Sequence, residues 1–381
     1  MRLSVVDSLA DIDAATWDAL AGDDPFLRHG FLHGLEDTDC LAPQGWYPQH
    51  LLVHDDDARL VGAVPLYIRD NSYGEFVFDW SWADAYERAG GRYYPKLVTA
   101  VPFSPVSGRR LLLAPGCGDD VAAVLVDAGV RACTDNELSS WHCLFLREEE
   151  KPVFEQAGLL ARLGCQYHWF NDGYADFDAF LAALSSKKRK QIRRERRLVA
   201  EQELVIETLV GPDIRAEHWS VFHGFYCSTF HRKWGEPRLT EAFFQGLEAR
   251  LPGASVLILA RTGERYVAGA FALRGGDTLY GRHWGCAAHH DNLHFELCYY
   301  QTIDFCIRNG LTRLDAGAQG EHKLARGFVP VKTWSMHWIG ERGFRRAVAD
   351  FLAREQAALE AYIAGLDDHL AFRQPSPEGL R

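Results

Sequence analysis

The strongest constraint on this chain is that it repeats itself. Displaced by 207 residues, LVGAVPLYIRDNSYG (Leu60 to Gly74) falls on VAGAFALRGGDTLYG (Val267 to Gly281) without a gap. Gly62/Gly269, Ala63/Ala270, Leu66/Leu273, Asp70/Asp277, Tyr73/Tyr280 and Gly74/Gly281 coincide, six identities in fifteen. Each copy follows an apolar run (Leu51 to His54; Val256 to Arg261) and a polar turn (DDDAR; TGER), so each predicts strand, hairpin, strand, hairpin, strand. A duplication builds the same unit twice, and 381 residues suffice for two cores.

Around the second copy the pattern predicts a strand over Leu204 to Leu209 and helices over Ala216 to Phe230 and Leu239 to Leu251, the latter with Leu239, Phe243, Leu247 and Leu251 four apart. After the three strands come a helix from Leu293 to Asn309, stopped by Gly310, and a strand Leu311 to Ala316. A helical or loop segment from Gln319 to Gly327 and a strand Lys332 to Ile339 follow. This order, β-α-α-β-β-β-α-β-α-β, resembles the GNAT acyltransferase superfamily. The first half reads likewise: strand Leu3 to Val6, helices over Ala14 to Leu20, Phe26 to Leu35 and Asp119 to Ala132, and strand Trp141 to Arg147. An aromatic and glycine-rich insertion, 83–108, interrupts it as an Ω-like loop. The expected chain is therefore α/β with mixed sheets, as two tandem GNAT-like domains. They span 1–172 (acceptor side) and 204–381 (donor side, ending in a helix), joined by a basic helical connector, 173–203.

Apolar residues at 47% and charged residues at 24% exclude a disordered chain. The acidic amino terminus lacks a signal-peptide run and no later stretch is apolar enough to span a bilayer, so a cytoplasmic protein is expected. Nine scattered cysteines without C-x-x-C spacing argue against disulfide frameworks and zinc ribbons. Against a net charge of −11, Lys187, Lys188, Arg189, Lys190, Arg193, Arg194, Arg196 and Arg197 with Glu195 form a +7 island. Such density either marks a phosphate-bearing partner, with tRNA one candidate for 187–197, or is a solvated linking helix.

The segments GWYPQHL (45–51), PLYIRDNSYGEFVFDWSWADAY (65–86), YYPKL (93–97), AVPFSPVSGRRLL (100–112), TFHRKWG (229–235), LYGRHWGC (279–286), LHFELCYY (293–300) and GAQGEHKLARGFVP (317–330) cover much of the chain. On them the chain resembles the FemAB-like peptidoglycan biosynthesis or recognition subgroup of the Fem aminoacyltransferases. The resemblance implies an aminoacyl-tRNA donor and a muropeptide amine as acceptor. The long helical arm of Fem enzymes has no counterpart here, which keeps an acyl-CoA donor, implied by the bare fold, open beside it. Neither donor is a tightly bound cofactor.

Candidate chemistry gathers in several places. Gly317 and Gly320 let the backbone turn after a strand, and Glu321, His322, Lys323 and Arg326 follow; a neutral histidine accepts an amine proton while the cations hold a phosphate or carboxylate. Glu296 shares a helical stripe with Tyr300, Ile303 and Ile307, as a general base or a dipole-favoured first-turn carboxylate. Arg282, His283 and Trp284 precede that helix, and Arg282-x-x-Gly285-x-Ala287 satisfies an acyl-CoA pyrophosphate pattern. Donor binding is accordingly expected of Arg282, His283, Trp284, Lys323, Arg326, Lys187, Arg189 and Arg193, and catalysis of His322, Glu296 and Glu321.

Acceptor binding is expected of Asp79, Trp82, Asp84, Tyr86, Tyr94, Lys96 and Arg109, aromatic walls with a few charges. Arg232, Lys233 and Trp234 offer a further cation and stacking surface. No metal is expected: His289, His290 and His294 lack a third ligand at usable spacing. Ser185 with Lys188 lacks a nucleophile turn. The reading is direct acyl transfer from an activated ester or thioester to a primary amine, in a cleft between the halves and without a covalent intermediate. The alternative is a non-catalytic module binding cell-wall precursors.

Overall fold

The computed structural model describes residues 1–232, 235–317, 320–366 and 370–372; Lys233, Trp234 and Gln319 lie outside them. By contacts the chain forms two units. Unit 1 comprises Met1–Cys165, Arg238–Phe243 and Lys332–Tyr362; unit 2 comprises Gln166–Pro237, Phe244–Val331 and a C-terminal piece from Ile363. This division departs from chain order. Residues 334–339 pair antiparallel with Ser140–Leu146 and so join unit 1, while the basic segment belongs to unit 2.

Unit 1 holds two sheets. Arg2–Val6, His50–His54, Leu60–Val64 and Leu112–Leu113 form one; residues 332–339, Ser140–Leu146, Lys96–Thr99, Tyr67–Arg69 and Trp46–Pro48 run in sequence through the other. Here the first copy of the repeat departs from expectation. Leu60–Val64 and Tyr67–Arg69 lie in different sheets and make no hairpin, because Pro65 between them lacks an N–H for a shared ladder. The helix Asp119–Asp135 buries Val121, Ala122, Leu125, Val126 and Cys133 against this core, and its Gly129 lets the Trp141 ring approach to where a Cβ would lie 2.6 Å away. The expected loop 83–108 instead contains most of the helix Trp80–Arg88, which buries Trp82 and Ala83, and the strand Lys96–Thr99, buried at every residue.

In unit 2 the second copy forms the predicted ladder. Val205–Val210, Ser255–Thr262, Arg265–Gly275 and Thr278–Cys286 pair antiparallel in that order. Arg313–Asp315 then adds in parallel and pairs on its far side with residues 168–170 of the strand Leu160–Phe170, which the sequence pattern did not disclose. The expected helix Leu239 to Leu251 is broken at Gly246 into Glu241–Gln245 and Leu247–Arg250. The helix from Leu293 to Arg308 is continuous but carries a π-turn at Glu296–Tyr300. No helix among the described residues is long and apolar enough to cross a membrane.

Candidate active site

In unit 2 the strands Thr278–Cys286 and Arg313–Asp315 pair only from Thr278 to Tyr280, opposite Arg313 to Asp315. The shorter strand ends there, so the longer one runs on past Tyr280 with no ladder partner on that side among the described residues, which leaves a fork in the sheet. On the opposite edge the ladder skips Arg282, so that Ala272 faces Gly281 and Phe271 faces His283, a bulge that bends the strand at the fork. A cavity of about 120 Å³ opens there, walled by Ala270, Ala272, Gly281, His294, Tyr299 and Thr302 among others. Small residues from two neighbouring strands, with polar groups from the second strand and the helix, make a shaped, partly apolar niche.

The π-turn sets the polar side. Its i→i+5 spacing brings His294 and Tyr299 together, with ring centroids 5.5 Å apart. The Tyr299 hydroxyl lies 2.8 Å from His322 Nε2. Burial, with Arg326 and Lys323 nearby, pulls His322 below its ordinary value, and His294 is pulled down to about 4 by burial and the same neighbours with His322. Both imidazoles are therefore neutral at pH 7 and able to accept a proton. Burial raises the Tyr299 phenol, keeping it protonated.

Lys323 is buried, and its Nζ donates to the Gly317 carbonyl at 2.7 Å. Burial pulls its pKa down to about 8 against the attraction of Asp315. Burial also takes Arg282 down to about 10, opposed by Asp315. Two cations on one carboxylate leave this side of the fork positive.

Other expected residues lie elsewhere or are already engaged. Glu296 is buried and bound by Arg196, Nη2 at 3.1 Å, and by Gln301 at 2.8 Å. It lines a separate groove, so as a paired carboxylate it is a poor proton acceptor for the fork. Arg326 is consumed internally: Nη2 lies 2.9 and 3.0 Å from the Glu195 oxygens, Nε donates to Tyr300 at 3.0 Å, and its carbon lies 3.6 Å over Phe295. It holds the helix in place and has no face for a donor. Arg282, His283 and Trp284, by contrast, line the cavity itself; His283 also lies parallel to Phe271 and edge-on to Tyr226, and Trp284 packs edge-on against His294. Gly285 sits inside the strand, where a Cβ would meet the Phe225 carbonyl oxygen at 2.2 Å, so packing explains the glycine of the pyrophosphate-like pattern and no helix start follows it. Glu321 is exposed at the start of the turn Glu321–Arg326.

The basic island folds as the helix Ser186–Ala200, with Ile192 and Val199 buried. Arg193, Arg196 and Arg197 line a groove of about 540 Å³ with Phe177, Leu181 and Leu204, and Arg193 reaches Asp178 at 3.2 Å. Lys187 is exposed and Arg189 half-buried at the start of the same helix.

In unit 1 the expected acceptor residues divide. Lys96 and Asp79 are fully inside, not on a wall: Lys96 Nζ contacts Asp79 at 2.5 Å, Glu75 at 2.8 Å and Ser72 at 2.8 Å. Asp79 also accepts from Tyr93 at 2.7 Å. Burial opposes its ionisation, but Lys96 and His142 win and hold it well below the carboxylate range. Glu75, also met by Arg69 at 3.3 Å, is pushed up by burial. His142 Nδ1 meets His337 Nδ1 at 2.6 Å, and His337 Nε2 meets Ser335 at 3.0 Å. Trp82 is buried edge-on to His337, with Arg162 5.0 Å above it. Tyr86 packs on Phe344 and Tyr93, Arg109 donates to the Ala21 carbonyl, and Asp84 pairs with Arg88 on the surface. Tyr94, half-buried, shares a hydrogen bond with Ser72. Lys96 and Asp79 thus belong to an internal charge network in which each buried charge has its counter-charge within the core.

Burial takes His142 down to about 3 and His337 well below its usual value. Because the folded values lie under the unfolded one near 6.5, the unfolded chain binds protons first on acidification. Their stabilisation is complete above pH 6.5 and is lost as the pH falls toward 3, at up to ~1.4 kcal/mol per pH unit for each imidazole, offset in part as Glu75 protonates. Urea midpoints measured between pH 7.5 and 5.5 are expected to fall; a level profile would contradict the neutral pair.

A family-wide sequence profile for FemAB-like proteins, described as peptidoglycan biosynthesis/recognition, matches residues 8–374. The chain belongs to the FemAB-like family. Among solved structures it is similar to FemX, with 11% identity over 92% of this chain and 100% of that one at a TM-score of 0.56. It is also similar to L-PGS from Bacillus licheniformis, with 10% identity over 84% of this chain and 94% of the other at a TM-score of 0.51. At such identities these likenesses show the fold. Comparison with curated protein sequences gives no match. Sequence reasoning missed Tyr299 and His294 of the FemAB-like fork; the available signal was a His and a Tyr five apart in an aromatic helix, legible only if a π-turn is expected.

Proposed function

We propose that this FemAB-like protein transfers an acyl or aminoacyl group from an activated ester or thioester to a primary amine of a peptidoglycan precursor, with the chemistry in the unit 2 fork. The observation that carries the reading is the cavity where the short strand ends, with Tyr299 on its lining and His322 hydrogen-bonded to Tyr299. The amine nitrogen attacks the donor carbonyl and a C–N bond forms. Its proton passes to Tyr299 Oη as the tyrosine proton passes to His322 Nε2. Collapse breaks the C–O bond to a tRNA ribose, or the C–S bond to coenzyme A, and the imidazolium returns the proton to that oxygen or sulfur. Strand N–H groups beyond Tyr280 and the Lys323 ammonium suit the negative oxygen of the intermediate. The cations of Ser186–Ala200 suit the phosphates that both donors carry, and positioning supplies much of the rate.

Purified protein supplied with charged tRNA or acyl-CoA and a muropeptide, read by mass spectrometry with and without ribonuclease, tests this. Transfer that survives nuclease eliminates the tRNA donor; no transfer from either donor sinks the reading. A cavity of about 120 Å³ accommodates a group of a few heavy atoms. Acetyl-, glycyl- or alanyl-sized groups are therefore expected to outrun lysyl or long-chain acyl groups by roughly tenfold or more in kcat/KM. Equal rates across that series would place the acyl group elsewhere.

A further inference from the structure

Unit 1 displays three aromatic rings that its core does not use. Tyr73, Phe78 and Trp80 are 62%, 47% and 47% exposed. The Phe78 and Trp80 rings lie 4.9 Å apart at 31°, and Tyr73 and Trp80 lie 5.9 Å apart at 54°, so together they make a stepped shelf. Single exposed aromatics are ordinary, but three in contact mark an interaction surface.

We infer that this shelf binds the pyranose rings of an acetamido sugar, holding the glycan part of the acceptor; the inference rests on the peptidoglycan reading above. A pyranose offers flat faces of C–H bonds, which meet the negative face of an aromatic ring, and a rim of hydroxyls and amides. The protein has both halves of that match. The shelf supplies the faces. Tyr47, whose hydroxyl contacts Asp70 at 3.3 Å, supplies a polar edge with the exposed Asp70 carboxylate and Asn71.

The backbone that carries the rings is held before any ligand arrives. The Tyr73 carbonyl accepts from the buried Arg69 at 2.8 Å, and its N–H donates to Asn71 at 2.8 Å. The Phe78 carbonyl accepts from Arg162 at 2.9 Å. Trp80 opens its helix directly after Asp79, the carboxylate clamped by Lys96. A shelf on a fixed backbone needs little loop ordering on binding, which favours weak, neutral ligands such as sugars. The acidic edge at Asp70 opposes a phosphate, and the net charge of −11 opposes a second copy of the chain.

The test uses the full chain and tri-N-acetylchitotriose as probe, read by tryptophan fluorescence and ligand-observed NMR. Saturable binding at about millimolar strength is expected, weakened roughly tenfold or more in Tyr73→Ala/Trp80→Ala and within about threefold of the parent in Trp80→Phe, which keeps a ring. Tyr73→Ala alone, in an exposed loop, serves if the double variant melts early. Three results overturn the proposal: no saturable binding by the parent, equal binding by the ring-deleted variants, or binding of uridine 5′-monophosphate without the trisaccharide. A dimer that Tyr73→Ala dissociates, found without sugar binding, overturns it too. Acyl transfer from the donors to a sugar-free peptide amine, run on the same preparations, separates failure of this shelf from failure of the transferase reading.

Discussion

In His322→Ala, kcat for acyl transfer is expected to fall by roughly 10²- to 10⁴-fold, the usual worth of a positioned proton acceptor, with donor affinity kept within about threefold. The imidazole Nε2 lies 2.8 Å from the Tyr299 hydroxyl, and Tyr299 lines the cavity. Tyr299→Phe, which keeps the ring and deletes the oxygen, is expected to fall by a comparable factor. The double variant should then lose little more, because the two act as one path. In the parent, kcat should rise with pH along an ionisation below 6.5, the direction in which burial, Arg326 and Lys323 move His322. That limb should vanish in His322→Ala. Retained turnover in both variants would exclude the relay, and multiplicative losses would make two independent groups of them.

Lys96→Met is expected to destabilise unit 1 by ~3–5 kcal/mol, the size seen when one partner of a buried ion cluster is removed. The ammonium contacts both Glu75 and Asp79, all three with side chains no more than 2% exposed. Without it two carboxylates keep Arg69, on Glu75, as the cation paired with them among the described residues, beside imidazoles that burial keeps neutral. Adding Asp79→Asn should recover part of the loss, since it removes one stranded charge. Urea unfolding at pH 7.5 measures both, with Lys187→Ala on the exposed end of the basic helix as a control expected within about 0.5 kcal/mol. A loss below about 1 kcal/mol for Lys96→Met would mean that water reaches the cluster.

The elements that periodicity marked strongly appear where it put them. Asp119–Asp135 and Ala216–His231 begin at the expected residues, and the three antiparallel strands of the second copy follow one another as read. The insertion was misjudged because its glycines, aromatics and short strand carry no repeating pattern; the helix Trp80–Arg88 is held by burial of Trp82 and Ala83 rather than by propensity. Of the expected catalytic set, His322 is hydrogen-bonded to Tyr299 of the cavity lining, while Glu296 is taken by Arg196, one hundred residues earlier in the chain. Chemical type was legible at each of these positions; the partner was not.

That difference has one physical cause. Local sequence determined what depends on neighbours within a turn or a hairpin: the repeat, the helix faces, the charge island at 187–197 and the family to which the chain belongs. Only the tertiary structure decided which charges were spent on one another. Coulombic and hydrogen-bond energies depend on distance and burial, and Lys96 with Asp79, Arg326 with Glu195 and Tyr299 with His322 come into contact only once strands and helices have packed.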